Sequence, residues 1–119
     1  MIYHIAAKET IKRIISTGIY SPEGYIKEGF IHCSTEEQVV MVANRFYSFQ
    51  NDLILLKIDD DKLKARVIYE NLEGGTELFP HVYGPIHCDA IVSFALFPYE
   101  ENGFSYPLNW ATFDNTLTW

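Results

Sequence analysis

Cysteine is scarce in this chain of 119 residues, and the two cysteines, Cys33 and Cys88, lie far apart without a CxxC partner. Small secreted domains that depend on disulfides carry more cysteines at regular spacings. We therefore expect no disulfide framework. A buried cysteine usually behaves as a small apolar side chain, so we expect two reduced and inert thiols.

Long apolar runs are also missing. No uninterrupted stretch approaches the roughly 20 residues that a membrane-spanning helix needs, and residues 1–7 lack the basic start and apolar centre of a leader peptide. The sequence therefore predicts no membrane segment, and we expect a cytoplasmic protein.

Positive charge is in short supply. Lysine and arginine total 9 residues against 16 aspartates and glutamates, which gives a formal net charge of -7. The densest basic stretch, from Lys57 to Arg66, is interrupted by the acidic run of residues 59–61. A field of this sign repels phosphate backbones, so we do not expect nucleic acid as a partner.

The composition is that of an ordinary globular domain, with 48% hydrophobic and 21% charged residues. Helical spacing of isoleucines (Ile11, Ile14 and Ile15) before Gly18 predicts a first helix, and Ser21–Gly24 predicts a turn. Ser34 begins an S-x-x-E capping box, which predicts a second, amphipathic helix to about Tyr47 that faces a sheet.

Strand patterns dominate the second half of the chain. The aliphatic run Leu53–Ile58 is typical of a central strand that is buried on both faces, and we expect it to pair as a hairpin with residues 65–70. Residues 78–85 and 90–97 are also rich in strand formers. Helices early and strands late favour the α+β class.

Four histidines, two of them directly followed by cysteine, raise the question of a metal site. In a strand, adjacent side chains point to opposite faces, so His32 with Cys33, or His87 with Cys88, would not both reach one ion. A thiolate activated by a neighbouring imidazole is the other reactive alternative, but both cysteines lie among apolar residues. We expect no metal.

Two segments concentrate the remaining polar chemistry. Ser34 has a structural role as helix N-cap, and the same helix start would suit a phosphate beside His32. In residues 79–85, two prolines and a glycine restrict the backbone around His81 and Tyr83, as in a rigid binding site or in a structural crossing between strands. Glu70 and Glu77 are available to orient an imidazole or to act as bases.

Four segments together resemble a small bacterial family that is catalogued as a domain of unknown function. They read Ile2-Tyr3-His4-Ile5-Ala6, Gly29-Phe30-Ile31-His32-Cys33-Ser34, Ala43-Asn44-Arg45-Phe46-Tyr47 and Phe79-Pro80-His81-Val82-Tyr83-Gly84-Pro85. The resemblance covers residues 1–104. That family is grouped by fold with ADP-ribosyltransferases and with the NAD-dependent phosphotransferases that remove a splice-junction phosphate from transfer RNA.

The resemblance implies an ADP-ribosyltransferase-like fold, with small mixed or antiparallel sheets and two early helices. It also implies a cleft for NAD or a related small-molecule nucleotide. The expected cofactor-binding residues are His4, Ser34, Arg45 and Tyr83, and the expected catalytic residues are His32, His81 and Glu70. The chain departs from the enzyme pattern because no arginine precedes His4, Phe30 replaces the first histidine of a His-x-His pair, and no late glutamate motif is evident.

The last part of the chain carries a cluster of aromatic residues, namely Phe104, Tyr106, Trp110, Phe113 and Trp119. We expect a single domain over residues 1–104 and an aromatic tail over residues 105–119 that packs on the domain or on a second copy. The alternative function is therefore a non-catalytic interaction or structural module that self-associates through this tail. Homo-oligomerisation stays open.

Overall fold

The structure, a computed structural model, describes residues 1–113. It is a mixed α+β fold in which every strand pair is antiparallel, and the predicted class is confirmed at that level. The helices are α1 (Thr10–Thr17), α2 (Glu23–Glu28) and α3 (Glu36–Phe46). The strands are β1 (Ile2–Ala7), β2 (Ile19–Tyr20), β3 (Ile31–His32), β4 (Leu53–Ile58), β5 (Arg66–Glu70), β6 (Phe79–Tyr83), β7 (Ile86–His87), β8 (Ile91–Leu96) and β9 (Ala111–Thr112).

The central sheet has the strand order β1-β4-β8-β9, so β4 is an interior strand as its aliphatic sequence predicts. Ile54 and Leu56 face one apolar cluster, while Leu53 and Leu55 face another on the opposite side. Side chains alternate between the faces of a strand, so only a strand covered on both sides can be apolar throughout.

Different elements cover the two faces of the central sheet. Helix α3 packs over one face through Val39 and Ala43, which lie against Tyr3 and Ile5 of β1. On the opposite face, α1 contributes Ile11 and Ile14, and the small sheets β2-β7 and β3-β6-β5 complete the layer. The prediction that the amphipathic helix faces a sheet is confirmed.

The predicted hairpin between Leu53–Ile58 and residues 65–70 is wrong. Strand β4 pairs with β1 and β8, whereas β5 pairs with β6 at the edge of the three-stranded sheet. Both faces of β4 are apolar and require a central position, while the side chains of β5 are only partly buried and suit an edge.

The local sequence signals predicted the end of α1 at Gly18 correctly, but they misplaced the starts of α2 and α3. Gly18 ends α1 in the left-handed region, at φ 75°, as predicted. The predicted turn at Ser21–Gly24 is instead the start of α2, because Pro22 lies at a helix N-terminus, where its missing N–H costs no hydrogen bond. Within residues 1–113 the α-helices number three, rather than the expected two, and all lie in the first 46 residues.

The capping residue of α3 is Thr35 rather than Ser34. Thr35 forms a capping box with Gln38, whose side-chain oxygen accepts from the Thr35 backbone N–H at 3.0 Å. Ser34 is still extended and exchanges two backbone hydrogen bonds with Tyr3 of β1, each of 2.8 Å. The S-x-x-E pattern therefore marked the helix start one residue too early.

The aromatic residues after position 104 pack on this same chain as far as the structure describes them. Tyr106 and Trp110 each lie with their ring centroids 6.0 Å from that of Tyr3, and β9 extends the central sheet beside β8. Phe113 is buried against Phe94. The expectation for Trp119 concerns a residue outside the described part. Over residues 1–113, no helix combines the length and the apolar character required to cross a bilayer.

Candidate functional site

One face of the sheet β3-β6-β5 gathers most of the predicted site residues. His32 of β3 lies directly opposite His81 of β6, and His81 lies opposite Ile68 of β5. Since residues two apart share a face, Glu70 and Tyr83 project to the same side as the two histidines. The ring centroids of His32 and His81 are 5.1 Å apart.

Glu70 holds the ring of His81. Its Oε2 lies 2.9 Å from Nδ1 of His81 and also accepts a hydrogen bond from the hydroxyl of Tyr83. These two hydrogen bonds, that from Tyr83 first, lower the pKa of Glu70 below its ordinary value. Glu70 is therefore ionised at neutral pH, and Nδ1 of His81 carries the proton that it donates.

The other ring nitrogen of His81 is available to a ligand. Among residues 1–113, Nε2 of His81 has no hydrogen-bond partner, and no fully buried polar side-chain atom is left without one. This nitrogen must therefore reach accessible surface. Phe30 stacks on the ring at 4.4 Å between centroids and fixes its plane.

His32 is the exposed member of the pair. Its side chain is 51% exposed, against 5% for His81, and its Nε2 lies 3.2 Å from a carboxylate oxygen of Glu28 at the end of α2. Both histidines thus have a carboxylate neighbour on one ring nitrogen. Glu28 was not predicted as part of the site, because residue 28 was assigned to no helix.

A cleft of about 590 Å³ opens beside this face. Its floor contains His32, His81 and Phe79, one wall is the last two turns of α3, and the other wall is the loop Asn71–Glu77. This volume lies within the range of about 300–1,000 Å³ that is typical of small-molecule sites. The loop was predicted only as a chain break at Gly74-Gly75, so its role as a wall was missed.

Hydrogen bonds hold the loop wall in shape. The side-chain oxygen of Asn71 accepts from the backbone N–H groups of Glu73 and Gly75, and its nitrogen donates to the carbonyl of Glu77. Gln38 of α3 donates to the Glu77 carboxylate at 3.1 Å and so ties the two walls together.

The cleft combines apolar and charged side chains. Met41, Phe46 and Leu72 line it and are substantially exposed, so apolar surface faces the cleft from both walls. Arg45 is its basic side chain, whereas Glu70, Glu73 and Glu77 are acidic. Ser34 also lines the cleft although little of it is accessible.

His4 lies elsewhere. It is buried on the opposite face of β1 from Tyr3 and Ile5, and it does not line the cleft. Its Nδ1 donates to the backbone carbonyl of His32 at 2.6 Å, and its Nε2 is 2.7 Å from the hydroxyl of Tyr20. Burial lowers the pKa of His4 to about 4, so the ring is neutral and Nε2 accepts from Tyr20.

The structure therefore brings together most of the predicted site residues. Those that line the cleft are His32, Ser34, Arg45, Glu70 and His81. Tyr83 does not line the cleft, but its hydroxyl donates a hydrogen bond to Glu70, which does. Tyr3 and Phe46 also line the cleft and were not predicted, since their patterns indicate only a strand and an amphipathic helix.

Thiols and metal ligands are the other reactive groups that the sequence raised. Cys33 is buried on the apolar side of β3, where burial raises the pKa of its thiol, and both cysteines are free. Within residues 1–113, no group of three or more histidine, cysteine, aspartate or glutamate side chains is arranged to hold a metal ion.

Comparisons with known proteins give one family match and a fold match to solved structures. The model of a family described as "Protein of unknown function (DUF952)" matches residues 5–94. The crystal structure of protein CC0527 from Caulobacter crescentus is 26% identical, with a TM-score of 0.75 over 87% of this chain and 90% of that one. The solution NMR structure of CC0527 gives a TM-score of 0.70 at 26% identity, over 87% and 89% of the two chains. The search of curated proteins found no match.

Proposed function

We propose that this chain, which belongs to the family of proteins of unknown function DUF952, binds NAD or a related nucleotide in the cleft beside its paired histidines. An ADP-ribosyltransferase-like fold and the transfer of ADP-ribose are part of this proposal. The observation that carries it is the Glu70–His81–His32 arrangement on the floor of a cleft of about 590 Å³.

The chemistry of the walls fits the two kinds of group in a dinucleotide. Apolar and aromatic surface at Met41, Phe46 and Leu72 offers a face against which a base or nicotinamide ring can pack. Arg45 on the same helix supplies a fork of N–H donors for a phosphate.

The net charge of the cleft indicates which nucleotides fit best. Arg45 is outnumbered by Glu70, Glu73 and Glu77, so a ligand with several negative charges meets repulsion. The positive nicotinamide ring of NAD offsets one of its two phosphate charges, and we expect NAD to bind more tightly than ADP-ribose or a nucleoside triphosphate.

The polar floor carries groups that could take part in ADP-ribosyl transfer. Nε2 of His81 can accept a proton from an attacking nucleophile, because Glu70 holds the opposite ring nitrogen. Ser34 and His32 line the cleft, and we expect them to hydrogen-bond the ribose or the carboxamide. His4 has no direct role in this proposal, since both its ring nitrogens are engaged within the protein.

Isothermal titration calorimetry with NAD tests the proposal. We expect binding by the native protein and at least about tenfold weaker binding by Arg45→Ala, from the loss of charge-assisted hydrogen bonds. His87→Ala is the matched control, because His87 lies outside the cleft and should leave the affinity unchanged. Absence of NAD binding up to millimolar concentration, or equal affinities for native protein and Arg45→Ala, would contradict it.

Transfer activity requires a separate measurement. If chromatography detects nicotinamide released from NAD, the proposal extends from binding to catalysis. Binding without release would identify a nucleotide-binding domain, since a fold and a ligand do not by themselves establish a reaction.

A further inference from the structure

We infer that His32 and His81 form a proton-transfer pair that cleaves a phosphodiester bond of a small nucleotide held in the cleft. This inference rests on the proposed nucleotide site and names the class of substrate and of reaction. Hydrolysis of a phosphodiester requires removal of a proton from the attacking water and delivery of a proton to the departing oxygen. Two imidazoles side by side can perform both tasks.

The pairing of β3 with β6 fixes the two imidazoles relative to each other. His32 and His81 are directly opposite residues of an antiparallel pair, and their ring centroids are 5.1 Å apart with the planes at 75°. Cross-strand neighbours of this kind share one face of the sheet. Because both rings line the cleft, a single phosphate group can contact the two of them.

Each imidazole is anchored at one nitrogen and leaves the other for the substrate. Nδ1 of His81 donates to Glu70, and Nε2 of His32 lies 3.2 Å from Glu28. Within the described residues, Nε2 of His81 and Nδ1 of His32 have no hydrogen-bond partner. A carboxylate on the far nitrogen stabilises the imidazolium that forms when the near nitrogen accepts a proton.

Exposure distinguishes the roles of the two rings. The side chain of His81 is 5% exposed and is held between Phe30 and Glu70, which suits a base of fixed orientation and tautomer. The side chain of His32 is 51% exposed and so is open to solvent. We assign His81 as the base and His32 as the acid.

The balance of charge in the cleft selects the substrate class. One arginine stands against three glutamates, so a singly charged phosphodiester meets less repulsion than a doubly charged phosphomonoester. Cyclic nucleotides have one such phosphodiester and also a base for the apolar walls. A product with a second negative charge would be expelled more readily than the substrate.

Hydrolysis uses water as the nucleophile and moves one proton at each imidazole. Nε2 of His81 takes a proton from water as the water oxygen bonds to phosphorus, and the bond from phosphorus to the sugar oxygen breaks. His32, protonated, gives its proton to that sugar oxygen. The products are a phosphomonoester and a free hydroxyl, and solvent returns each imidazole to its starting state.

Other titratable groups near the pair will shape its pH dependence. Glu28 faces His32 from α2, and Glu70 and Tyr83 face His81 from β5 and β6. The further titratable or charged side chains around the cleft are Tyr3, Cys33, Arg45, Tyr47, Glu73 and Glu77.

Phosphorus NMR with adenosine 2′,3′-cyclic phosphate as the probe tests the inference. We expect the native protein to convert the probe to a monophosphate, and His32→Ala and His81→Ala each to lose about 100-fold or more in rate. His32→Ala changes a side chain that is 51% exposed, so we expect this variant to fold, and circular dichroism checks it. Glu70→Gln should retain the site but shift the pH optimum, and His87→Ala should match the native rate.

The outcomes separate this inference from the nucleotide proposal. NAD binding without cleavage of the probe would overturn the inference and leave the proposed function standing. Cleavage that survives both histidine substitutions would overturn it as well. Cleavage that depends on both histidines, in a protein that does not bind NAD, would support the inference and remove NAD as the ligand.

Discussion

The buried ring of His4 predicts a specific loss of stability in mild acid. Burial lowers the pKa of His4 from 6.5 to about 4 in the folded chain, while the unfolded chain retains the ordinary value. Between these two pH values the unfolded state binds a proton that the folded state does not bind. The free energy of unfolding therefore falls as the pH is lowered from 6.5 towards 4, and this contribution levels off below that.

The magnitude follows from the size of the shift. A change from 6.5 to about 4 corresponds to a maximum of about 3 kcal/mol, at 1.36 kcal/mol per unit of pKa. Between pH 7 and pH 5, the same linkage gives a loss of about 2 kcal/mol. The lowered pKa of Glu70 acts only below that group's ordinary value of 4.5, so its effect lies under this window.

Urea unfolding at a series of pH values between 7 and 5 measures the effect. The native protein should lose about 2 kcal/mol over this range, whereas His4→Gln should be less stable at pH 7 but lose little more on acidification. His87→Gln removes a half-buried histidine and should keep the native pH dependence. An unchanged pH dependence in His4→Gln would refute the assignment of the shift to the burial of His4.

Two further predictions concern backbone strain and thiol reactivity. Gly103→Ala should lower the free energy of unfolding in urea by about 1 kcal/mol more than Gly74→Ala. Both glycines have positive φ, but only at Gly103 would the new Cβ lie 2.5 Å from a side-chain atom, Oδ1 of Asn44. Equal losses in the two variants would contradict this prediction. An aromatic disulfide reagent should label Cys88 before unfolding and Cys33 only on unfolding, because Cys33 is buried and its thiol pKa is raised. If the folded Cys88→Ser variant were labelled as fast as the unchanged protein, the prediction on thiol labelling would be wrong.

The parts of the fold that depend on local pattern were predictable. The aliphatic run Leu53–Ile58 indicated an interior strand, Gly18 marked the end of a helix, and the spacing through Phe46 gave the length of α3. Each of these signals arises within one element. The resemblance to a family of unknown function was also confirmed by the family match.

Pairing between strands was not predictable in the same way. The hairpin of β4 with β5 failed because nearness along the chain favours such a pair, whereas the partners of β4 are set by which strands can cover its two apolar faces. The packing of the assembled core therefore determines which strands pair with β4. A run such as Leu53–Ile58 carries no information about its neighbours.

The site residues likewise divide into those that local alternation places and those whose position depends on strand pairing. Alternation along β6 predicts that His81 and Tyr83 share a face, but the position of His32 opposite His81 depends on the register of β3 against β6. For His4, both faces of β1 are buried, so periodicity does not tell which face leads to the cleft. Neither the loop wall at Asn71–Glu77 nor the helix that ends at Glu28 had a sequence pattern sufficient to place it.

The strand order of the central sheet also has a consequence for synthesis. A ribosome delivers β1 and β4 first, and β4 then has one edge without a partner until β8 has been made. During that interval the run Leu53–Ile58 remains an apolar strand edge that another nascent chain can join. We expect overproduction at high temperature to yield aggregates, and a holdase chaperone supplied during synthesis to reduce their amount.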